Sequence, residues 1–309
     1  MSTIAIIMAT YNGEKYVDEQ INSILSSNYQ DLELFIYDDG SKDNTVSILH
    51  NYENQYPEKV HVYQNESNLG HRMNFMHALS ATTADYVMFS DQDDVWNSNK
   101  VAITIKRMKH MEAQSGKETP LVVFTDAVVV DQDLNTLNRS FFCSGHLNPY
   151  RTDLGHLLME NKLIGCTVMV NAALRRVLLS KPLPRQARYH DWWIALIAAA
   201  YGKIGFVKEG TLLYRQHGGN VVGDTGFAAY VKNRLLGLQQ QKESLEALYL
   251  QASEFLELYG DTLSEENREI VSNFAALPEK NFLERRITIL HYGFLKTGLL
   301  RNIGLLIIV

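Results

Sequence analysis

Three aspartates crowd into four positions of the stretch FSDQDDVW, residues 89–96, at Asp91, Asp93 and Asp94. Carboxylates this close repel one another unless a cation or a hydrogen-bond network compensates them. Asp91 and Asp93 stand two apart, and at the frayed end of a strand that spacing can turn both toward one ligand. A site that offers one or two carboxylates and leaves its other positions to phosphate oxygens is the usual way a protein recruits Mg2+ or Mn2+ to a nucleotide. A solvated acidic turn is the plain alternative, because Asp-x-Asp recurs by chance. Two further polar clusters, ATYNG at 9–13 and YDDGS at 37–41, close apolar runs in the same way. In YRQHGGN, residues 214–220, Arg215 suits a diphosphate and His217 a metal, just before two glycines expected to make the segment mobile.

These clusters need a scaffold that brings them together. TIAIIMAT, LELFIYDDG, KVHVYQN and DYVMFSDQDD read as strands. They alternate with helix-like patterns, such as GEKYVDEQINSILSSN with Val17, Ile21, Ile24 and Leu25 on one stripe. Short connections between alternating strands and helices imply a mostly parallel, Rossmann-like sheet with helices on both faces. Ligands of such sheets sit beyond the carboxyl ends of the strands, where all three polar clusters fall. Asp38 to Ser41 would alternatively serve only to cap the following helix. After about residue 120 the pattern turns mixed. LVVFTDAVVVDQD, GCTVMVN and KIGFVKEGTLLYRQH read as strands and HDWWIALIAAAYG as an apolar helix. Long helical stretches follow from roughly residue 226. The expected division is a main region at 1–225 with a break near residue 120 and a helical C-terminal region at 226–309.

The bulk properties narrow the class. The chain has 309 residues, 46% hydrophobic and 21% charged, with a formal charge of −6, so it has no general basic field for gripping nucleic acid. Two cysteines, Cys143 and Cys166, fit a reducing compartment better than a disulfide-built fold. No stretch reaches the roughly 18 apolar residues of a membrane span, and the N-terminal apolar run reads as a strand, without the flanks of a signal peptide. The expected location is cytoplasmic, in solution or peripheral at the inner face of the plasma membrane.

Taken in order, MATYNGEKYVDEQINSIL, YDDGSKDNT, NLGHRMNFM, FSDQDDVW, HDWW and YRQHGGN resemble a family 2 glycosyltransferase of the GT-A fold, similar to bacterial rhamnosyltransferases of cell-surface polysaccharide assembly. The likeness covers residues 1 to about 225 and implies that 1–225 is the GT-A catalytic domain, with a nucleotide-sugar-binding half at 1–120 and an acceptor-binding half at 121–225. It implies that Thr10 and Tyr11 line the base pocket, that Asp39 bonds the pyrimidine, and that Asp91 and Asp93 meet ribose and metal-bound diphosphate. Asp94 is a direct contact or a loop support. Asp93 and His217 are the implied metal ligands and Arg215 a donor contact. Asp191 matches the position of the general base that takes the acceptor proton, although an acidic residue opening WWIALIAAA also suits a helix N-cap. Gly165, Cys166, His190 and Trp192 fall on the acceptor side, where one indole could stack on a sugar. Trp192 and Trp193, being adjacent, are not both expected to face the core of one helix.

The implied activity is a metal-dependent, inverting transfer from a nucleoside-diphosphate sugar, dTDP-β-L-rhamnose by likeness, to a hydroxyl of a glycan or lipid-linked glycan, with Mg2+ or Mn2+. The missing G-x-G-x-x-G and G-x-x-x-x-G-K-[ST] patterns argue against dinucleotide and P-loop enzymes. A sugar-nucleotide nucleotidyltransferase and an inactive sugar-binding module remain as alternatives. In the tail, RRITILHYGFLKTGLLRNIGLLIIV, apolar residues are interspersed with Arg285, Arg286, Lys296 and Arg301. This pattern serves either an amphipathic helix on an anionic membrane or a helix packed on the catalytic region or a second subunit.

Overall fold

A computed structural model describes residues 3–217 and 238–309. Strands β1 (Ile4–Thr10), β2 (Leu32–Asp38), β3 (Val60–Gln64) and β4 (Tyr86–Ser90) pair in the order β3-β2-β1-β4, all parallel. Ile4, Ala5, Ile6, Ile7 and Met8 are all buried. Successive strand residues point to opposite faces, so this sheet is covered on both sides, and the unbroken apolar runs follow from that. Helices α1 (Val17–Leu25), α2 (Thr45–Gln55) and α3 (His71–Ala81) make the connections. The expected parallel α/β core is therefore present.

The second half reverses direction. β4 runs antiparallel to β8 (Met169–Asn171), which runs antiparallel to β6 (Leu121–Val130). β6 lies parallel to the long β9 (Lys203–Arg215) and forms a hairpin with the short β7 (Thr136–Asn138). The two-residue β5 (Val95–Trp96), directly after the acidic stretch, pairs antiparallel with the end of β9, Val95 opposite Leu213. That pairing delivers Arg215 and His217 to the aspartates. GCTVMVN, read as a strand, contributes only Met169–Asn171 to the sheet. Gly165–Thr167 is a 3-10 turn, with the Thr167 hydroxyl bonded to the Ile164 carbonyl at 2.8 Å.

Helix α4 (Lys100–Ser115) follows β5, and α5 (Phe141–Ser144), α6 (Leu154–Met159) and α7 (Ala172–Leu179) lead to α8 (His190–Tyr201). Every residue of α8 from His190 to Ala198 is buried, which corrects the expectation for its two tryptophans. A helix hydrophobic all round is a buried helix, and this one is enclosed on opposite sides. The Trp192 indole N–H donates to the Leu157 carbonyl at the end of α6, while Trp193 packs edge-on against Phe255, ring centroids 5.3 Å apart. Phe255 belongs to α9 (Leu238–Tyr259), which α10 (Glu265–Ala275), α11 (Phe282–His291) and α12 (Leu299–Ile308) follow. The helical stretch beginning SEENREI breaks at Pro278, and a capping box restarts α11, with Asn281 accepting from Glu284 N and the Glu284 carboxylate from Asn281 N. Residues of both halves and of the C-terminal helices join one continuous hydrophobic core.

Candidate active site

The carboxyl ends of β1, β2 and β4 open onto a cavity of about 480 Å³ whose far wall is loop 161–165 and the start of α8. Thr10, Tyr11, Asp39, Asp91 and Asp93 line the near side, and Gly165, His190 and Asp191 the far side. The structure thus gathers five residues expected to hold the donor and three expected near the acceptor. Cys166, Trp192, Arg215 and His217 do not line the cavity.

The two aspartates that close β2 also build their own surroundings. Asp38 accepts from Gly40 N at 3.1 Å, Ser41 N at 2.9 Å and the Thr10 hydroxyl at 3.0 Å, which shapes the turn; the cap of α2 is Asn44. Asp39, nearly buried, accepts from Leu69 N and Gly70 N, both at 2.7 Å, and from Asn65 Nδ2 at 2.8 Å. It therefore fixes the loop that starts α3 while facing the cavity. Gln92 was not singled out by sequence. Its side chain accepts from Tyr11 N at 2.9 Å and donates to the Tyr11 carbonyl at 3.1 Å, tying the ends of β1 and β4 together. Gly13 leaves room for it, since a Cβ there would lie 2.3 Å from Gln92 Oε1.

Below the cavity the acidic stretch has differentiated. Burial opposes ionisation of Asp91, but the His71 ring nitrogen 3.0 Å away outweighs it and holds the carboxyl below its ordinary value. Asp93 is pushed up by burial and by the charge of Asp91, and its Oδ2 lies 2.8 Å from His217 Nε2. Asp94 is raised well above the carboxylate range by burial and by its two neighbours. One oxygen accepts from Arg215 N at 3.1 Å, and the other is buried without a hydrogen bond among the described residues. Asp91, Asp94 and Cys166 place one ligand atom each within 4.8 Å of one another. Burial drives the Cys166 thiol well above its ordinary value, which leaves the oxygens of Asp91 and Asp94 as donors there, with the His217 imidazole 2.8 Å from Asp93 in the same acidic stretch. That set fits Mg2+ or Mn2+. Lys100, fully buried, sits over the Trp96 ring, its ammonium pushed down to about 8 by burial.

Arg215, read from sequence as a diphosphate partner, is placed differently. Its guanidinium donates to the Asp93 carbonyl at 2.7 Å and the Gln132 carbonyl at 2.6 Å, pairs with Glu19 and covers the Tyr16 ring. Being 3% exposed, it braces the acidic loop from behind. His217 stacks on the same ring, centroids 4.9 Å apart. The two glycines after it lie outside the described residues.

On the opposite wall, Asp191 is not the helix cap. Tyr189 holds that position, and Asp191 lies inside the first turn. One oxygen accepts from Trp192 N at 2.7 Å and the other from Asn161 Nδ2 at 3.1 Å. Burial lifts its carboxyl to about 6, with these two donors working against the rise. His190 packs on Phe75, ring centroids 4.3 Å apart, and neither ring nitrogen has a hydrogen bond among the described residues; burial and the charge of His71 lower its pKa to about 3, so the ring is neutral. Gly165 makes this possible, because a Cβ there would lie 2.9 Å from the imidazole. Trp192, expected on the acceptor side, is buried and donates its indole N–H to the Leu157 carbonyl.

His71, Asn161 and Lys162 also line the cavity and were missed by sequence reasoning. Each stands in a stretch that reads as helix start or loop. HDWW and NLGHRMNF were visible as motifs, but nothing in them says that His71 would meet Asp91.

The family description "Glycosyl transferase family 2" matches residues 5–180. The dTDP-rhamnosyl transferase RfbG of Shigella flexneri is 26% identical over 247 residues, 76% of this chain and 80% of that protein. The crystal structure of S. aureus TarS in complex with UDP-GlcNAc is 19% identical, with a TM-score of 0.58 over 94% of this chain and 79% of that one. The mannosyltransferase PcManGT from Pyrobaculum calidifontis, in complex with GDP-Man and Mn2+, is 15% identical, with a TM-score of 0.52 over 94% of this chain and 84% of that one.

Proposed function

The chain belongs to glycosyl transferase family 2, and on that premise we propose that it moves a sugar, with inversion and dependence on a divalent cation, from a nucleoside diphosphate to a hydroxyl of a cell-surface glycan or its lipid-linked precursor. The observation that carries this reading is the division of carboxylates across one cavity. Asp91 and Asp93 lie at the strand ends, where a nucleotide would sit, and the raised Asp191 lies on the opposite wall. Asp39, Thr10 and Tyr11 hold the base, and Asp91 and Asp93 orient ribose and diphosphate. Asp93 and His217 would hold Mg2+ or Mn2+, which when bound supplies positive charge to the departing diphosphate. Asp191 receives the acceptor proton as the hydroxyl attacks from the face opposite the nucleotide, with no covalent enzyme intermediate.

The proposed donor is dTDP-β-L-rhamnose. The likeness to RfbG supports it, and so do Leu147, Leu163 and Ile164, apolar residues of the cavity lining that suit the methyl group of a deoxysugar. A donor screen with Mn2+ that reads nucleoside diphosphate release tests it. Release from dTDP-rhamnose, dependent on acceptor and giving the inverted anomer by NMR, is the expected result. Pyrophosphate release would mark a nucleotidyltransferase, and donor binding without turnover an inactive module.

The acceptor reading extends to a membrane surface. Leu283, Ile287 and Leu290 of α11 and Leu299, Leu300, Ile303 and Ile307 of α12 are exposed, each set at helical spacing along one face. Residues 280–309 carry five basic side chains, Lys280, Arg285, Arg286, Lys296 and Arg301, and one acidic one, Glu284. Arg301 is committed to Glu160 and the Gly145 carbonyl, whereas Arg285 and Arg286 donate to carbonyl oxygens and form no ion pair among the described residues. Such faces fit the headgroup boundary of an anionic bilayer. Flotation with phosphatidylglycerol liposomes, weakened by salt and lost in Leu300→Asp/Ile303→Asp, is expected. A dimer by light scattering that the same substitutions dissociate would replace the membrane with a second copy.

A further inference from the structure

The far wall of the cavity is made by residues 161–165, which join α6 to the 3-10 turn with no strand ladder to hold them. Backbone outside regular elements must be fixed by side chains. Here Asn161 closes a small ring. Its amide donates to the Leu163 carbonyl at 3.1 Å and accepts from Leu163 N at 3.0 Å, and it also donates to Asp191 Oδ2 at 3.1 Å. The residues on either side face a different partner. Lys162 is fully buried, with its ammonium on Glu160 and 2.7 Å from the Thr297 hydroxyl. Glu160 in turn accepts from Thr297 N and from the Thr297 hydroxyl, both at 2.8 Å, and from Arg301 Nη1 at 3.3 Å. Arg301 also donates to the Gly145 carbonyl at 2.6 Å, and Asn148 N to Thr297 Oγ1 at 3.3 Å. Two neighbouring stretches, 145–148 and 160–163, and the distant 297–301 therefore meet at one buried ion network immediately behind the wall.

We propose that Asn161 is a positioning residue for Asp191, and that the Glu160–Lys162–Thr297–Arg301 network is a latch by which the C-terminal segment fixes the catalytic wall. The proposal rests on the reading of Asp191 as base. A buried ion pair is held only by complete compensation, and removing one partner leaves the other unpaired. Loss of the latch therefore loosens the flanks of Asn161, and a base displaced by about 1 Å turns over far more slowly. The donor side, on β1, β2 and β4, is untouched. The latch thus controls the acceptor half of the reaction alone.

The test compares steady-state kinetics of Thr297→Val, Thr297→Ser and Asn161→Ala in the full chain. Valine keeps the shape of threonine without the hydroxyl that links Lys162 to Glu160. It is expected to lower kcat by about tenfold or more with donor KM within about twofold, and serine to restore it. Asn161→Ala removes a donor that favours the ionised carboxylate, so the acidic limb of the rate profile moves to higher pH. The other titratable groups facing Asp191, namely His71 of α3, Asp91 after β4 and His190 of α8, remain in place in both variants. Unchanged kcat in Thr297→Val, no rescue by serine, or an unmoved limb in Asn161→Ala would overturn the proposal. Asp191→Asn is assayed alongside: full activity there removes the base itself, whereas an inactive Asp191→Asn with normal Thr297→Val and Asn161→Ala overturns the latch alone.

Discussion

At Asp191 one carboxyl combines burial with two donors, and the outcome, a value near 6, suits a group that must accept a proton in neutral solution. The sign is fixed by the role. A base works only when ionised, so kcat/KM should be level above about pH 7 and fall about tenfold per unit below about pH 5, as a rate profile at saturating metal would read. Asp191→Asn should lower kcat by a factor on the order of 10² to 10⁴ while dTDP affinity, read by calorimetry, stays unchanged. Asp93→Ala should abolish the Mn2+-dependent increment of donor binding, because a site with one or two carboxylates cannot lose one and still compensate a diphosphate. Asp91 and Asp93 stand out in the sequence as candidates because carboxylates are costly to crowd, and Asp191 through the resemblance of HDWW to a family motif; all three line the cavity. Asn161 and Gln92 could not, since an amide in a loop looks the same whether it faces water or clamps a neighbour. Sequence does not say how Arg215 is used for a related reason: its chemistry suits phosphate and backbone carbonyl alike, and in the structure it is buried on the Asp93 and Gln132 carbonyls.

Among the elements, the regular ones announced themselves by period. The unbroken apolar runs of β1 and β4 and the stripe of α1 follow directly from a sheet covered on both faces. The two-residue β5 and the 3-10 turn at Gly165 carry almost no periodic signal, and both depend on contacts from distant sequence. Yet they do much of the positioning. β5 carries the acidic loop to β9, and the turn lets His190 pack where a side chain would stand. Gly165→Ala should therefore destabilise the fold by about 1–3 kcal/mol, the range for overpacking a filled core. Urea denaturation would show it as a lower midpoint with an unchanged slope. A midpoint equal to that of the parent chain would mean that the imidazole has room to move.

Over the whole molecule the catalytic sheet and the C-terminal helices share a core, and Trp193 is one of its joints, buried between α8 and α9. Trp193→Ala should cost about 3–5 kcal/mol. Unfolding should remain one transition when followed by both tryptophan fluorescence and far-ultraviolet dichroism, and two separated transitions would show that the C-terminal helices fold apart from the sheet. The latch adds an element of timing to this shared core. Glu160 and Thr297 are 137 positions apart, and at ribosomal speeds of about 5–20 residues per second the second follows the first by on the order of ten seconds. Throughout that interval β1 to β4 and their nucleotide-facing ends are already synthesised, whereas the buried ammonium of Lys162 still lacks its hydroxyl partner and the wall holding Asn161 has nothing behind it. A nascent chain therefore completes its donor face well before its acceptor face. If the latch acts as proposed, transfer begins only after residues 297–301 have left the ribosome, and until then the wall that carries Asp191 is not fixed.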